Sequence, residues 1–161
     1  TLGRAMDATI AQPSDLLLGR RTYDIFAGHW PRVADDDPMA RHLNAATKFV
    51  ATHRPESLAW GPHVALGPDV ASAVAALKQG DGPDLVVHGS GRLVQTLLAH
   101  HLVDELALFL FPLVLGSGKR LFGAGAVPAG FALLESGTTP AGVIVARYHT
   151  APLPPSGSFA L

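Results

Sequence analysis

Short apolar runs alternate with segments of helical spacing over the first two thirds of this chain. Leu16–Leu18 is a continuous apolar run of the kind that is buried on both faces of a sheet, and Thr47–Thr52 is a second such strand. Between them, Thr22–Trp30 carries its apolar residues at helical spacing. The same criteria predict further helices over Leu2–Ala11, Met39–Leu43, Val70–Lys78 (with Asp69 as N-cap) and Arg92–His101, and short strands over His63–Leu66 and Asp84–Val87.

The pattern changes in the last third of the chain, where strands follow one another directly. Glu105–Val114 is a long, nearly all-apolar strand, and Phe131–Ser136 and Gly142–His149 form a predicted antiparallel hairpin with Pro140 in its turn. Early alternation and a late hairpin predict an α/β fold of three αβα layers with a mixed, mainly parallel sheet. Residues 1–150 are expected to form one domain, and residues 151–161, with their three prolines, an extended or disordered tail.

Composition favours an oligomer over an isolated monomer. Hydrophobic residues make up 48% of the 161 residues and charged residues only 16%, below the roughly 25% of an average domain. A chain with few charges has less surface suited to water, so we expect a homodimer.

Charge and cysteine content exclude several functions. The formal net charge of -1 provides no basic field for nucleic acid, and the absence of cysteine excludes disulfides and thiolate chemistry. No apolar run approaches the roughly 20 residues that span a bilayer, and no secretory leader pattern is present. We expect a cytoplasmic protein, and the start at Thr1 suggests that upstream sequence is missing.

Two predicted strands run directly into glycine and arginine where a helix should begin. Gly19-Arg20-Arg21-Thr22 follows the first strand, and Gly89-Ser90-Gly91-Arg92 follows Asp84–Val87. A helix N-terminus attracts anions, glycine permits close approach, and arginine binds phosphate oxygens in bidentate fashion. The two junctions favour a ligand with several phosphates, such as a nucleotide cofactor. The alternative is that the glycines only permit tight turns.

Two familiar glycine motifs fit poorly. A dinucleotide fingerprint at the second junction would need glycine or alanine where Val94 stands, and its acidic residue comes too early. Gly116-Ser117-Gly118-Lys119 lacks the spacing of a P-loop and the hydroxyl residue after lysine, so a bend with solvated cations is favoured.

Metal and serine chemistry are not indicated. The eight histidines stand in no metal-binding spacing, and there is no Gly-x-Ser-x-Gly elbow. We predict no metal site.

A third basic site follows the strand Thr47–Thr52. His53-Arg54 should open on the same sheet edge as both junctions, since ligands of open α/β sheets sit outside the carboxyl ends of strands. The pair could bind the 2′-phosphate of NADP, or it could simply be a solvated loop.

In their order, these motifs resemble the dihydrofolate reductase-like fold, in the branch of the reductase domain of bacterial riboflavin biosynthesis. The resemblance covers about Leu2 to Tyr148. Beside the three sites above, it rests on Phe111-Pro112-Leu113-Val114-Leu115-Gly116-Ser117-Gly118-Lys119-Arg120-Leu121-Phe122 and on the closing hairpin. It implies an NADPH-dependent reductase. The cofactor-binding residues that it implies are Gly19, Arg20, Arg21, Thr22, Thr52, His53, Arg54, Gly89, Ser90, Gly91, Arg92 and Leu93.

Three features of the family bear on this chain, and at two of them the chain differs from the family pattern. The family often has a cis peptide at the position of Gly89–Ser90, and it begins with a strand that this sequence lacks. Dihydrofolate reductases carry a substrate-binding carboxylate where this chain has Gly3, and Asp7, one turn later, is the candidate replacement. Dihydrofolate itself is therefore not the expected substrate.

Three functions stay open from the sequence. The leading one is hydride transfer from NADPH to a small heterocyclic or carbonyl substrate of pterin-like class. A ribosylaminouracil-like substrate would need a phosphate site, for which Lys119 and Arg120 are candidates. The alternative is a nucleotide-binding or sensor protein that has kept the fold without catalysis.

Overall fold

A computed structural model describes residues 13–123 and 125–153 of the chain. Within these ranges the first two thirds form four strands, four α-helices and two short 3-10 turns, and the last third forms three strands. The predicted helix Leu2–Ala11 and residues 154–161 of the tail lie outside the described residues. The elements are β1 (Ser14–Gly19), α1 (Arg20–His29), α2 (Pro38–Ala45), β2 (Lys48–Ala51), β3 (His63–Leu66), α3 (Val70–Leu77), β4 (Asp84–Val86), α4 (Gly91–Ala99), β5 (Glu105–Leu110), β6 (Gly130–Thr138) and β7 (Ile144–Ala151).

The first four strands form a parallel sheet in the order β3-β2-β1-β4. β1 lies in the middle, with Leu16 opposite Lys48 of β2 on one side and Val86 of β4 on the other. Helices α1 and α2 join β1 to β2, a loop with one short 3-10 turn at Pro55–Ser57 joins β2 to β3, and α3 joins β3 to β4 at the other side of the sheet. All four strands run in the same direction. The carboxyl ends of β2, β1 and β4 therefore meet at one edge.

Helices cover both faces of the parallel sheet. Leu16 and Leu18 pack on one face with Tyr23 of α1 and Leu43 of α2, whereas Leu17 packs on the opposite face with residues of α3 and α4. Neighbouring side chains of a strand point to opposite faces, so a continuous apolar run is needed where both faces are buried. The predicted three-layer α/β fold is confirmed.

The last three strands form a separate antiparallel sheet in the order β5-β7-β6. The hairpin of β6 and β7 is confirmed, with Pro140 between the strands. β5 ends at Leu110, four residues before the predicted end at Val114. Leu110 pairs with Ile144, the first residue of β7. Its partner strand begins there, and Pro112 lacks the N–H that would continue the ladder.

Candidate functional site

Three neighbouring strands carry the predicted binding residues at their carboxyl ends. β1 ends in register with β2, Gly19 opposite Ala51, so Thr52, His53 and Arg54 leave the sheet beside the start of α1. β4 lies on the other side of β1 and leads through His88 into the turn that starts α4. The structure therefore brings the three predicted sites to one edge, as the sequence led us to expect.

Ser90 joins the two strand-to-helix junctions. The backbone N–H of Gly19 donates to the Ser90 hydroxyl oxygen at 3.0 Å. The hydroxyl group of Ser90 lies 3.0 Å from the Thr22 hydroxyl and donates to it. One small side chain thus holds the N-termini of α1 and α4 together.

The turn before α4 is built from two consecutive residues in the left-handed region. Gly89 has a φ of 63° and Ser90 a φ of 50°. The expected cis peptide at Gly89–Ser90 is not found, since the cis peptide in the described residues is Gly61–Pro62. Left-handed backbone costs a residue with a Cβ roughly 1 kcal/mol, and at Ser90 the hydrogen bonds with Gly19 and Thr22 offset this cost.

The helices at this edge differ from the other two in their N-terminal caps. Asp37 caps α2 by accepting from Ala40, and Asp69 caps α3 by accepting from Ser72, the latter as predicted. Neither α1 nor α4 has a side-chain cap or an acidic residue in its first turn. Their first N–H groups and the positive ends of their dipoles are thus left for an anion.

Arg20 holds the loop after β2 against α1. Its Nε donates to Asp24 at 2.8 Å, and its Nη1 donates to the Arg54 carbonyl at 3.1 Å and to the Ser57 hydroxyl at 2.6 Å. Thr52 Oγ1 accepts from the same Nη1 at 3.4 Å and from the Arg54 backbone N–H at 3.0 Å. Arg20 is thus the first residue of α1 and also positions the basic loop that follows β2.

The other basic residues of the edge are exposed. Arg21, Arg92, His53 and Arg54 have exposed side chains, and none of these side chains hydrogen-bonds another residue in the part of the chain described. Leu93, by contrast, is buried in the core with Leu17 and Leu97. Only its backbone N–H can therefore serve a ligand.

The candidate substrate-binding residues fall in two places. Lys119 and Arg120 are exposed in the connection between β5 and β6. The next residue, Leu121, accepts a hydrogen bond at 2.5 Å from Gln95 of α4, so these cations lie beside the helix of the second junction. Asp7 lies outside the described residues.

His88 is the titratable group nearest the second turn. Its ring lies 6.1 Å from that of Phe26 on α1, centroid to centroid. Burial lowers the pKa of His88, and His42 lowers it further by charge repulsion. His42 in turn lies 3.0 Å, through Nε2, from the Ser14 hydroxyl. The lowered pKa of His88 favours its neutral imidazole form at the site.

Sequence reasoning missed the partners that organise this edge. Asp24 stands four residues after Arg20, a spacing that favours an ion pair on a helix and could have been noticed. Ser57 lies 37 residues from Arg20, and no local pattern indicates their contact. His88 had no signal beyond its position before Gly89.

The described residues give no support for a metal site or for a membrane-spanning helix. They contain no cluster of three or more His, Asp or Glu side chains arranged to hold a metal ion. No helix in the described ranges has the length and hydropathy needed to cross a membrane.

The sequence of this chain is similar to that of a bacterial protein. The uncharacterised protein YyaP of Bacillus subtilis (strain 168) is 26% identical over 141 residues, which cover 86% of this chain and 74% of YyaP.

Solved structures share the fold at lower identity. A putative riboflavin biosynthesis protein from Shewanella sp. PV-4 has a TM-score of 0.61 at 23% identity, over 88% of this chain and 75% of that one. A pyrimidine reductase-like protein from Corynebacterium diphtheriae has a TM-score of 0.56 at 14% identity, over 86% and 76%. RibD of Acinetobacter baumannii matches with a TM-score of 0.54 at 14% identity, over 87% of this chain but 47% of its own.

The model of the RibD C-terminal domain matches residues 2–145, nearly the whole chain. Together with the sheet edge described above, this match settles the family. The chain belongs to the RibD C-terminal domain family.

Proposed function

We propose that this protein is an NADPH-dependent reductase that transfers a hydride to a small heterocyclic or carbonyl substrate. Membership of the RibD C-terminal domain family indicates a reductase. The observation that supports the cofactor is the Ser90 hydroxyl, which holds two uncapped helix N-termini side by side.

The donors at the edge fit a dinucleotide with an extra phosphate. Two helix N-termini with no acidic residue in their first turns suit a pyrophosphate, which carries negative charge on the oxygens of both of its phosphate groups. Arg21 and Arg92 stand at these N-termini with exposed guanidinium groups suited to bidentate contacts. The roles we assign to them are contacts to the pyrophosphate.

The loop after β2 supplies the proposed selectivity for NADPH over NADH. His53 and Arg54 are exposed there, and Arg20 holds the loop by its bonds to Thr52, to the Arg54 carbonyl and to Ser57. A held loop loses less conformational freedom when it binds a 2′-phosphate. Arg20 thus acts on cofactor binding through the loop that it positions.

In the reduction, the main role of the protein is to position the cofactor and the substrate. NADPH supplies the hydride when it is bound. The chain supplies the turn at Gly89 and Ser90, whose exposed glycine lets a ligand approach the backbone. His88 directly precedes this turn, its ring packs 6.1 Å from that of Phe26, and its lowered pKa favours the neutral imidazole.

Calorimetric titration with NADPH and NADH tests the cofactor. We expect saturable binding of NADPH and weaker binding of NADH. Arg54→Ala should reduce the preference for NADPH by about tenfold or more, because a charged hydrogen bond to phosphate contributes about 1.5–3 kcal/mol. Arg32→Ala, which removes an exposed arginine at the opposite end of α1, is the matched control. No saturable binding at millimolar NADPH would contradict the proposal.

Turnover separates the reductase from a binding protein without catalysis. Absorbance at the NADPH band should fall with at least one member of a panel of pterins, flavin precursors and quinones. Cofactor binding with no turnover across the panel would favour a sensor. With a phosphorylated ribosylaminouracil, Lys119→Ala and Arg120→Ala should raise KM and leave NADPH affinity unchanged. An unchanged KM would exclude that role for both cations.

A further inference from the structure

The connection between β2 and β3 crosses the sheet without an α-helix. The two strands are parallel, and His63 at the start of β3 lies opposite Lys48 at the start of β2. Residues 52–62 must therefore return along the whole length of β2. Parallel strands are usually joined by a helix, which pairs its own backbone groups. Here the connection contains only the short 3-10 turn Pro55–Ser57, so most of its backbone groups need partners from other elements.

The buried hydroxyl of Tyr23 provides such partners to the second part of the connection. It accepts hydrogen bonds from the backbone N–H of Trp60 at 2.7 Å and from that of Ala59 at 3.0 Å, and it donates to the Trp60 carbonyl at 3.2 Å. A phenolic hydroxyl has one donor and two acceptor positions, so this one is used entirely on two consecutive residues. In the described part of the chain, neither of the two N–H groups bonds a backbone carbonyl.

Tyr23 and Arg20 hold two parts of the same connection from one helix. They stand three residues apart on α1, a spacing that places both side chains on one side of a helix. Arg20 bonds the first part through the Arg54 carbonyl and the Ser57 hydroxyl. Between the two attachments, Leu58 is buried in the core that contains Tyr23. The segment that carries the exposed Arg54 is therefore fixed to the helix whose N-terminus we assign to the pyrophosphate.

We propose that Tyr23 is a positioning residue for the discrimination of NADPH from NADH, and that it acts through Arg54. The inference rests on the proposed function, because it needs a 2′-phosphate that the loop binds. Without the hydroxyl, two backbone N–H groups beneath the loop lose their acceptor, and a buried N–H regains a partner only if its segment moves towards water. Such a movement displaces Arg54 from the distance that α1 sets between the two phosphate sites. NADH has no 2′-phosphate, so its affinity does not depend on this distance.

Calorimetric titration of Tyr23→Phe with NADPH and NADH tests the selectivity. The variant keeps the ring, which packs 5.9 Å from that of Trp60, and removes only the hydroxyl. The ratio of the NADH to the NADPH dissociation constant should fall by about fivefold, the factor for an ordering cost of about 1 kcal/mol, with NADH affinity unchanged. Val74→Ala, in the core on the opposite face of the sheet, is the control for lost stability and should keep the wild-type ratio. A wild-type ratio in Tyr23→Phe overturns the inference.

A double-mutant cycle tests whether Tyr23 acts through Arg54. In an Arg54→Ala background, Tyr23→Phe should leave the ratio unchanged, because the group that it positions is gone. An equal fall of the ratio in both backgrounds overturns the inference. A wild type that binds neither cofactor, or both equally, overturns the proposed function and this role with it, whereas a wild type that prefers NADPH leaves the cycle to decide on Tyr23 alone.

Amide hydrogen exchange of the protein without cofactor tests the attachment itself. Tyr23→Phe should speed the exchange of residues 52–54 as well as that of Ala59 and Trp60, since the first part of the loop moves with the second. Val74→Ala should leave the exchange of these residues as in wild type. Unchanged exchange of residues 52–54 in Tyr23→Phe would show that the hydroxyl does not position them, and would overturn the inference.

Discussion

The backbone N–H of Gly19 donates to the Ser90 hydroxyl oxygen although 71 residues separate them in the chain. The same hydroxyl donates to Thr22 on the first turn of α1. A single side chain therefore sets the distance between the two helix N-termini that we assign to the cofactor. Its removal should affect stability and cofactor binding together.

Ser90→Ala should destabilise the protein by about 1–3 kcal/mol, because the part-buried N–H of Gly19 loses its acceptor. NADPH affinity should fall as well, since the junctions are no longer joined. Urea unfolding and calorimetry measure the two effects. Thr96→Ala on α4 removes an exposed hydroxyl that donates to the Arg92 carbonyl and should change stability by less than about 0.5 kcal/mol. Equal losses in both variants would contradict the linking role of Ser90.

Ser90→Gly should be more stable than Ser90→Ala by about 1 kcal/mol. Both lose the hydroxyl, but only glycine adopts a φ of 50° without strain. Urea unfolding of the two variants under identical conditions measures the difference. If alanine is the more stable of the two, the backbone at this position is not left-handed in solution.

Arg20→Ala and Arg21→Ala should separate positioning from ligand binding at neighbouring residues. Arg20 bonds Asp24, the Arg54 carbonyl and Ser57, so its loss should cost about 1–2 kcal/mol of stability. Arg21 is exposed, and its loss should leave stability within about 0.5 kcal/mol while weakening NADPH binding. Thermal unfolding and calorimetry provide the comparison. A destabilised Arg21→Ala protein would show that the roles are not divided in this way.

Lys48 should make the protein more stable at alkaline pH. Burial lowers its pKa from 10.5 to about 8, and Asp15 opposes part of this effect. Between these values the unfolded chain binds the proton and the folded chain does not, so the free energy of unfolding rises as pH rises from 8 to 10.5. Over this pH range the free energy of unfolding should rise by about 3 kcal/mol.

Lys48→Met is the control for that pH dependence. It removes the titrating ammonium, which lies 4.3 Å from the centroid of the Trp60 ring and donates to the Asn44 carbonyl at 2.7 Å. The difference in unfolding free energy between wild type and variant should therefore change between pH 7 and pH 10.5. A constant difference would mean that Lys48 keeps its ordinary pKa.

His42→Gln should raise the pKa of His88 towards its ordinary value. Burial, which is the larger cause of the lowered pKa, remains, while the repulsion from His42 is removed. Because the folded form of His88 binds its proton less readily, this residue reduces stability as pH falls below 6.5. Imidazole NMR titration measures the pKa, and replacing the exposed His63 by glutamine should leave it unchanged. An unaltered pKa in His42→Gln would show that the two rings do not interact.

Local patterns in the sequence determined the elements and the placement of the predicted site. The continuous apolar run Leu16–Leu18 indicates a strand covered on both faces, and Asp69 marks the start of α3, because both signals arise within a few residues. The rule that parallel strands end at one edge then brings Thr52, Gly19 and Gly89 together without any side-chain information.

Only the tertiary structure decided which side chains organise that edge and where strands end. The bonds of Ser90 to Gly19 and of Arg20 to Ser57 join residues 71 and 37 positions apart. β5 ends at Leu110 because its partner β7 begins opposite it, and Lys48, a charged residue at a strand start, is fully buried against Trp60. Local propensity acts over a few residues, whereas these contacts form only when distant segments pack, so the sequence by itself carries no short-range signal for them.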